Sequence, residues 1–126
     1  MDIKTVLLTA NKAITDGKYA DFLLDCTDYI KWDFVGDRIL EGKSAILQYM
    51  KETYLEPPIS NIERLNVSEM FLTVTGEISL KNKNGDYDEY YYCDNWEFED
   101  GKMANLKAYV IKKEISSFLE TINRQQ

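Results

Sequence analysis

The sequence predicts an α+β domain with helices packed on one face of a curved, mainly antiparallel sheet. Three observations carry that prediction. Helical spacing dominates as far as Tyr54, interrupted by one period-two stretch. Alternation then dominates from residue 60 to residue 112. Pro57-Pro58 separates the two regimes, because proline cannot continue a helix. Helices grouped before a run of strands argue for segregated layers rather than alternating βαβ units.

The elements follow in order. Ile3, Val6, Leu7, Ala10 and Ile14 share one helical face, and Asp16-Gly17 ends that helix. Tyr19 to Asp25 reads as a short second helix with Phe22 and Leu23 inward. Residues 28 to 35 switch to period two, with Ile30, Trp32 and Phe34 alternating with Tyr29, Lys31 and Asp33. Gly36 to Gly42 is expected to be a loop. A third helix runs from Lys43 to Tyr54, with Ile46, Leu47, Met50 and Tyr54 as its stripe.

Strands are expected at residues 60 to 67 and 69 to 81. In the second, Met70, Leu72, Val74, Ile78 and Leu80 oppose Thr73, Thr75, Glu77 and Ser79. Asn84-Gly85-Asp86 carries the residues of a turn with positive φ. A strand from Tyr87 to Glu99 then meets Asp100-Gly101, a two-residue hairpin signal. The last strand, Lys102 to Lys112, has Ala104, Leu106, Ala108 and Val110 on one face. Met103, Asn105, Lys107, Tyr109 and Ile111 occupy its other face. Ile115, Phe118, Leu119 and Ile122 then fall at helical spacing, which predicts a short C-terminal helix. No linker or repeat divides the chain, so residues 1–126 are read as a single domain.

Composition narrows the chemistry. Histidine is absent, which removes the commonest neutral-pH acid/base and the Ser-His and Cys-His pairs. Proton transfer would fall to carboxylates, tyrosines or lysines. The net charge of −7 and the lack of a Lys/Arg cluster argue against a nucleic-acid partner. Cys26 and Cys93 make no metal-site spacing and are expected to be reduced thiols. Asp86-Tyr87-Asp88-Glu89 lacks the spacing and glycine of a calcium loop, so no metal is expected. The start has no continuous apolar core of signal-peptide length, and no transmembrane run occurs. The expectation is a cytoplasmic protein without membrane contact.

The stretch from Tyr90 to Lys102 holds the strongest chemical clue. Read with period two, Tyr90, Tyr92, Asp94, Trp96 and Phe98 share a face, and Glu97 and Glu99 mark the other as wetter. Asp94 thus lies on an aromatic face, where a carboxylate is costly unless paired, hydrogen-bonded or protonated. Desolvation there would raise its pKa and make it a competent general acid or base. The plainer alternative is a structural aspartate bonded to a tyrosine hydroxyl or a backbone N–H. The aromatic residues of this strand, with Trp32, either line a slot for a flat apolar ligand or fill the core. Trp32 and Asp33 are adjacent in a strand, so only one can face the cavity unless a bulge intervenes.

Three local patterns join the element order. The first is Asp33-Phe34-Val35-Gly36 followed by Gly42-Lys43 opening a helix. The second is Asp94 four residues before Phe98, then Glu99-Asp100-Gly101-Lys102-Met103. The third is Leu106-Lys107-Ala108-Tyr109 in the closing strand. In this order, over roughly Ile3 to Val110, the chain resembles the NTF2-like superfamily, a cone-shaped, cystatin-like α+β fold. That superfamily includes SnoaL-like polyketide cyclases and ketosteroid isomerases.

The resemblance implies roles for two aspartates. One at the position of Asp33 would shuttle the substrate proton. One at the position of Asp94 would stay protonated and help a tyrosine hold the developing oxyanion. The alignment places Ala10 where the isomerases carry that tyrosine. The implied activity is cofactor-free acid/base chemistry of isomerase, cyclase or dehydratase type on a small apolar carbonyl compound. Trp32, Tyr90, Tyr92, Trp96, Phe98, Leu106, Ala108 and Val110 would line the pocket. The alternative is a non-catalytic module that binds a small apolar or aromatic molecule or dimerises. The resemblance also implies a homodimer through the outer sheet face, which the C-terminal helix could cover instead.

Overall fold

The computed structural model describes residues 2–113, so the expected C-terminal helix lies outside the described residues. Helix α1 (Ile3–Thr15) opens with Asp2 as its cap, whose Oδ1 accepts from the Thr5 backbone N–H at 2.8 Å. It closes through two backbone bonds, Lys18 N–H to Ala13 O at 2.8 Å and Gly17 N–H to Ile14 O at 3.0 Å. Gly17 supplies the positive φ of 77° that this closure requires. One turn of helix, α2 (Tyr19–Phe22), and a 3-10 turn (Leu23–Asp25) then bury Phe22 and Leu23.

Strand β1 (Cys26–Phe34) turns through Gly36 into β2 (Arg38–Glu41), which pairs back on it antiparallel. The segment expected to be a loop therefore contains a strand. Only Leu40 of its four residues is partly buried, so this short edge strand leaves no alternation to read. Helix α3 (Lys43–Thr53) buries Ile46 and Met50 and ends before Pro57-Pro58. The meander follows as β3 (Ile59–Ser68), β4 (Phe71–Lys81), β5 (Tyr87–Glu99) and β6 (Lys102–Lys112).

The six strands form one sheet in the order β2-β1-β6-β5-β4-β3. Every neighbouring pair is antiparallel except β1 with β6. Strand β5 is central, flanked by β4 and β6 along most of its length. Register shifts interrupt β1, β3 and the β5–β6 pairing, and such bulges bend a sheet.

One shift corrects the expected faces of β6. Phe98 pairs with Met103 and Glu97 with Asn105, which leaves Ala104 unpaired. Met103 is thereby carried to the inside, fully buried, although strict alternation puts it outside. Met70 is also displaced from the expected inner row. It lies in the turn before β4 and is half exposed.

The helices cover one sheet face, and the core lies between. Val6, Leu7 and Ala10 of α1, Ile46 and Met50 of α3, and Phe22 meet Ile30, Leu72, Phe98 and Met103 of the sheet. This packing fills one end of the layer. The outer face keeps Tyr29, Tyr91, Tyr109 and Ile111 exposed. Among the described residues no helix is long and apolar enough to cross a membrane.

Candidate functional site

The inner row of β5 runs from the packed end of the layer to an open one. Phe98 is sealed in the core at 1% exposure, while Trp96, Asp94, Tyr92 and Tyr90 all line a cavity of about 400 Å³. From β6, Leu106, Ala108 and Val110 line it, and from β1, Trp32 and Phe34. Helix α3 and its end contribute Tyr49, Thr53 and Tyr54; α1 contributes Asn11, Ile14 and Thr15. Asp37, in the β1–β2 turn, and Ser60 of β3 complete its polar lining. The volume falls in the range of small-molecule sites.

Asp94 is held between Val74 of β4 and Ala108 of β6 by register, so two small apolar neighbours flank it. It is partly buried and faces the cavity. No protein group among the described residues hydrogen-bonds its carboxyl. Burial pushes its pKa up from 3.8 to about 7. The group is therefore poised between acid and base near neutrality.

The surrounding phenols stay neutral. Burial raises the pKa of Tyr54, and negative charge on Tyr49 and Asp94 raises it further. Burial likewise raises Tyr49 and Tyr92. Tyr92 reaches across Gly76 toward β3, where its hydroxyl lies 3.4 Å from Ser60 Oγ. Trp32 and Trp96 meet edge to face at 6.4 Å between centroids, and both indole N–H groups lack a hydrogen-bond partner among the described residues. The aromatic cluster continues through Trp32–Tyr49 at 6.2 Å and Tyr49–Tyr54 at 6.2 Å.

Asp33 does not join this cavity. The register shift in β1 lies between Cys26 and Lys31, upstream of both candidates. From Lys31 onward parity is unbroken, so Trp32 faces inward at 3% exposure and Asp33 outward. Asp33 stands opposite Ile39 and Lys107 in the sheet. The carboxylate pair expected from Asp33 and Asp94 is thus not assembled. Phe98 is also removed from the lining, because the packed end of the layer encloses it.

Sequence reasoning missed Tyr49, Phe34, Asp37 and Ser60 as lining residues. Tyr54 was visible only as part of a helical stripe. A useful signal was the pair of tyrosines, Tyr49 and Tyr54, in and just after α3. Ala10 is fully buried in the core, and α1 presents Asn11, Ile14 and Thr15 to the cavity instead. Among the described residues no cluster of three His, Cys, Asp or Glu side chains could hold a metal ion. Cys26 and Cys93 are free, and burial pushes the Cys26 thiol up to about 12.

No family model matches the sequence, and no curated protein matches it. Solved structures do match the fold. An NTF2-like protein of unknown function from Cytophaga hutchinsonii is 17% identical, with a TM-score of 0.69, over 87% of this chain and 100% of that one. The epoxide hydrolase/cyclase-like enzyme SalBIII, of pyran ring formation in salinomycin, is 14% identical, with a TM-score of 0.77, over 86% and 89%. TerC, co-crystallised with polyporic acid, is 15% identical, with a TM-score of 0.73, over 96% and 98%. At these identities the likeness concerns the fold, whose members include cyclases, isomerases and hydroxylases. Its helices, its mixed six-stranded sheet and these structural matches together give this chain the NTF2-like, cystatin-like fold.

Proposed function

We propose that this chain performs cofactor-free acid/base chemistry on a small, largely apolar carbonyl compound, with Asp94 moving the proton. One observation carries the reading: a carboxyl with no hydrogen-bond partner among the described residues, pushed up to about 7 by burial, faces an aromatic cavity of about 400 Å³. Ionised, Asp94 would take a proton from the carbon beside the carbonyl. Protonated, it would return that proton or donate to the carbonyl oxygen. The neutral hydroxyls of Tyr54 and Tyr92, both electrostatically coupled to Asp94, are the candidate donors to the developing oxyanion. Asp33 has no part in this scheme, because it stands on the other side of the sheet. The likeness to SalBIII, an enzyme of pyran ring formation, makes a cyclic or ring-forming compound a type of molecule to try.

Hydrogen–deuterium exchange beside the carbonyl of β-tetralone in heavy water, followed by proton NMR, tests the reading without the natural substrate. The wild-type chain is expected to accelerate exchange, with a rate that rises through about pH 7 as Asp94 ionises. Asp94→Asn is expected to lose about 100-fold or more of that acceleration. Binding of β-tetralone without any Asp94-dependent exchange would overturn the catalytic reading and leave a binding module.

A further inference from the structure

The cavity has a charge character that its apolar walls do not require. Two carboxylates line it, Asp94 and Asp37, and among the described residues no lysine or arginine does. The chain has no histidine. Arg38 lies outside the lining, with Nε 3.2 Å from the Asp37 carboxylate and Cζ 5.7 Å from the Tyr49 ring centroid. An anionic ligand would therefore meet carboxylates and aromatic rings, with no cation among the described lining residues to receive it.

A cation would meet the opposite. Indole and phenol rings attract positive charge to their faces, most strongly where water is excluded. Trp32, Trp96, Tyr49 and Tyr54 line the cavity that Asp94 faces, and Asp94 has no protein hydrogen-bond partner among the described residues. The net charge of −7 adds a field that draws cations toward the protein. We propose that this cavity binds organic cations: compact aromatic molecules bearing an amine or quaternary ammonium group, whose charge sits beside Asp94 within the ring cluster. The proposal rests on the cavity and on the direction Asp94 faces. It does not rest on the proton-transfer chemistry proposed above.

Binding of this kind is coupled to the protonation of Asp94. A cation prefers the carboxylate, so its affinity rises as pH increases through about 7. Other titratable groups facing Asp94 are few. Helix α3 and its end contribute Tyr49 and Tyr54, β5 contributes Tyr90 and Tyr92, and the β1–β2 turn contributes Asp37. α1, β3, β4 and β6 contribute none to the lining. The phenols with raised pKa values remain neutral throughout this range.

Calorimetry with three probes of matched shape tests the proposal: (naphthylmethyl)trimethylammonium, acetonaphthone and naphthylacetate. At about pH 8 the ammonium probe is expected to bind at least tenfold more tightly than the ketone, and the acetate least. Between about pH 8 and pH 6 the ammonium affinity is expected to fall about tenfold, as the ionised fraction of Asp94 drops from about 0.9 to about 0.1. Asp94→Asn should abolish both the preference and the pH dependence, with a cooperative urea-unfolding transition showing that the variant folds. Ammonium binding no tighter than ketone binding at about pH 8 would overturn the proposal, as would an ammonium preference that survives in Asp94→Asn. Either result leaves the β-tetralone exchange assay to decide the catalytic reading separately.

Discussion

Trp32 and Asp33 are neighbours in the chain and stand on opposite faces of the sheet, Trp32 in the cavity wall and Asp33 across from Lys107. This relationship reduces the site to one central carboxylate. Asp33→Asn is therefore expected to leave both probe affinity and β-tetralone exchange within about twofold of wild type. Trp32→Ala is expected to weaken probe binding and to destabilise the chain by about 3–5 kcal/mol, because it removes a buried ring that contacts Phe22, Phe34, Tyr49 and Trp96. A tenfold loss of exchange in Asp33→Asn would mean that the proton path crosses the sheet.

Asp94 links the site to stability. A carboxyl whose pKa is higher folded than unfolded binds its proton more tightly in the folded chain. Its stabilising contribution is full below the unfolded value of 3.8 and is lost as pH rises through about 7. Asp94→Asn replaces it with a neutral amide and breaks no hydrogen bond seen among the described residues. The variant is expected to be more stable than wild type at about pH 8, with the gap shrinking by roughly 1–2 kcal/mol at about pH 5.5. Urea unfolding at the two pH values measures it, and a constant gap would show that Asp94 is not desolvated in the folded chain.

The parts legible in sequence were those whose pattern ran long between clear turns. β5 shows its inner row over thirteen residues, and Asp94 stood out there as a polar residue on an apolar face. Alternation in β1 could say that Trp32 and Asp33 oppose each other, but not which was inner, because both faces were mixed. The four residues of β2 were too few and too exposed to alternate visibly. The cavity wall on α3 was illegible for another reason. A tyrosine that lines a void and one that fills a core have the same helical spacing, and only the three-dimensional gap separates them.

The same limit explains Met103. The unpaired Ala104 shifts the register, so Met103 enters the core although the residues from Asn105 to Ile111 keep the expected outer parity. Met103→Lys is expected to destabilise the chain by about 3 kcal/mol or more, because it buries an unpaired ammonium. Tyr109→Lys, on the exposed outer face, is expected to change stability by less than about 1 kcal/mol. Equal tolerance at both positions would place Met103 outside after all.

Gly76 has a specific steric duty. A Cβ there would come within 2.2 Å of the Asn61 carbonyl oxygen and 2.9 Å of the Tyr92 hydroxyl. The register shift between Ile62 and Arg64 lies beside it, where the β3 backbone crowds β4. Gly76→Ala must push strand backbone aside and tilt the Tyr92 ring, so a loss of about 3 kcal/mol is expected. Tyr92→Phe removes only the weak contact with Ser60 and should lose less than about 1 kcal/mol. Comparable losses for the two variants in urea unfolding would show that the β3 backbone relaxes freely around an added methyl.

An exposed side chain ties the segment after α3 to the β4–β5 hairpin. Tyr54 and Pro58 line the cavity, and Glu56 lies between them. Its two carboxylate oxygens accept from Lys81 Nζ at 2.8 Å and the Tyr87 hydroxyl at 2.9 Å, one donor from each strand of the β4–β5 hairpin. Leu80, next to Lys81 in β4, and Tyr90, farther along β5, also line the cavity. Exposed bonds of this kind add little to global stability and are screened by salt, but they can set how often a loop opens. Glu56→Ala is expected to leave the unfolding temperature nearly unchanged. Amide exchange of residues 54 to 56 and release of the bound ketone probe should each quicken by about threefold. High salt should produce a similar change in the wild-type chain. Unaltered exchange and release in Glu56→Ala would show that this loop holds its position through packing around Pro57 and Pro58 alone.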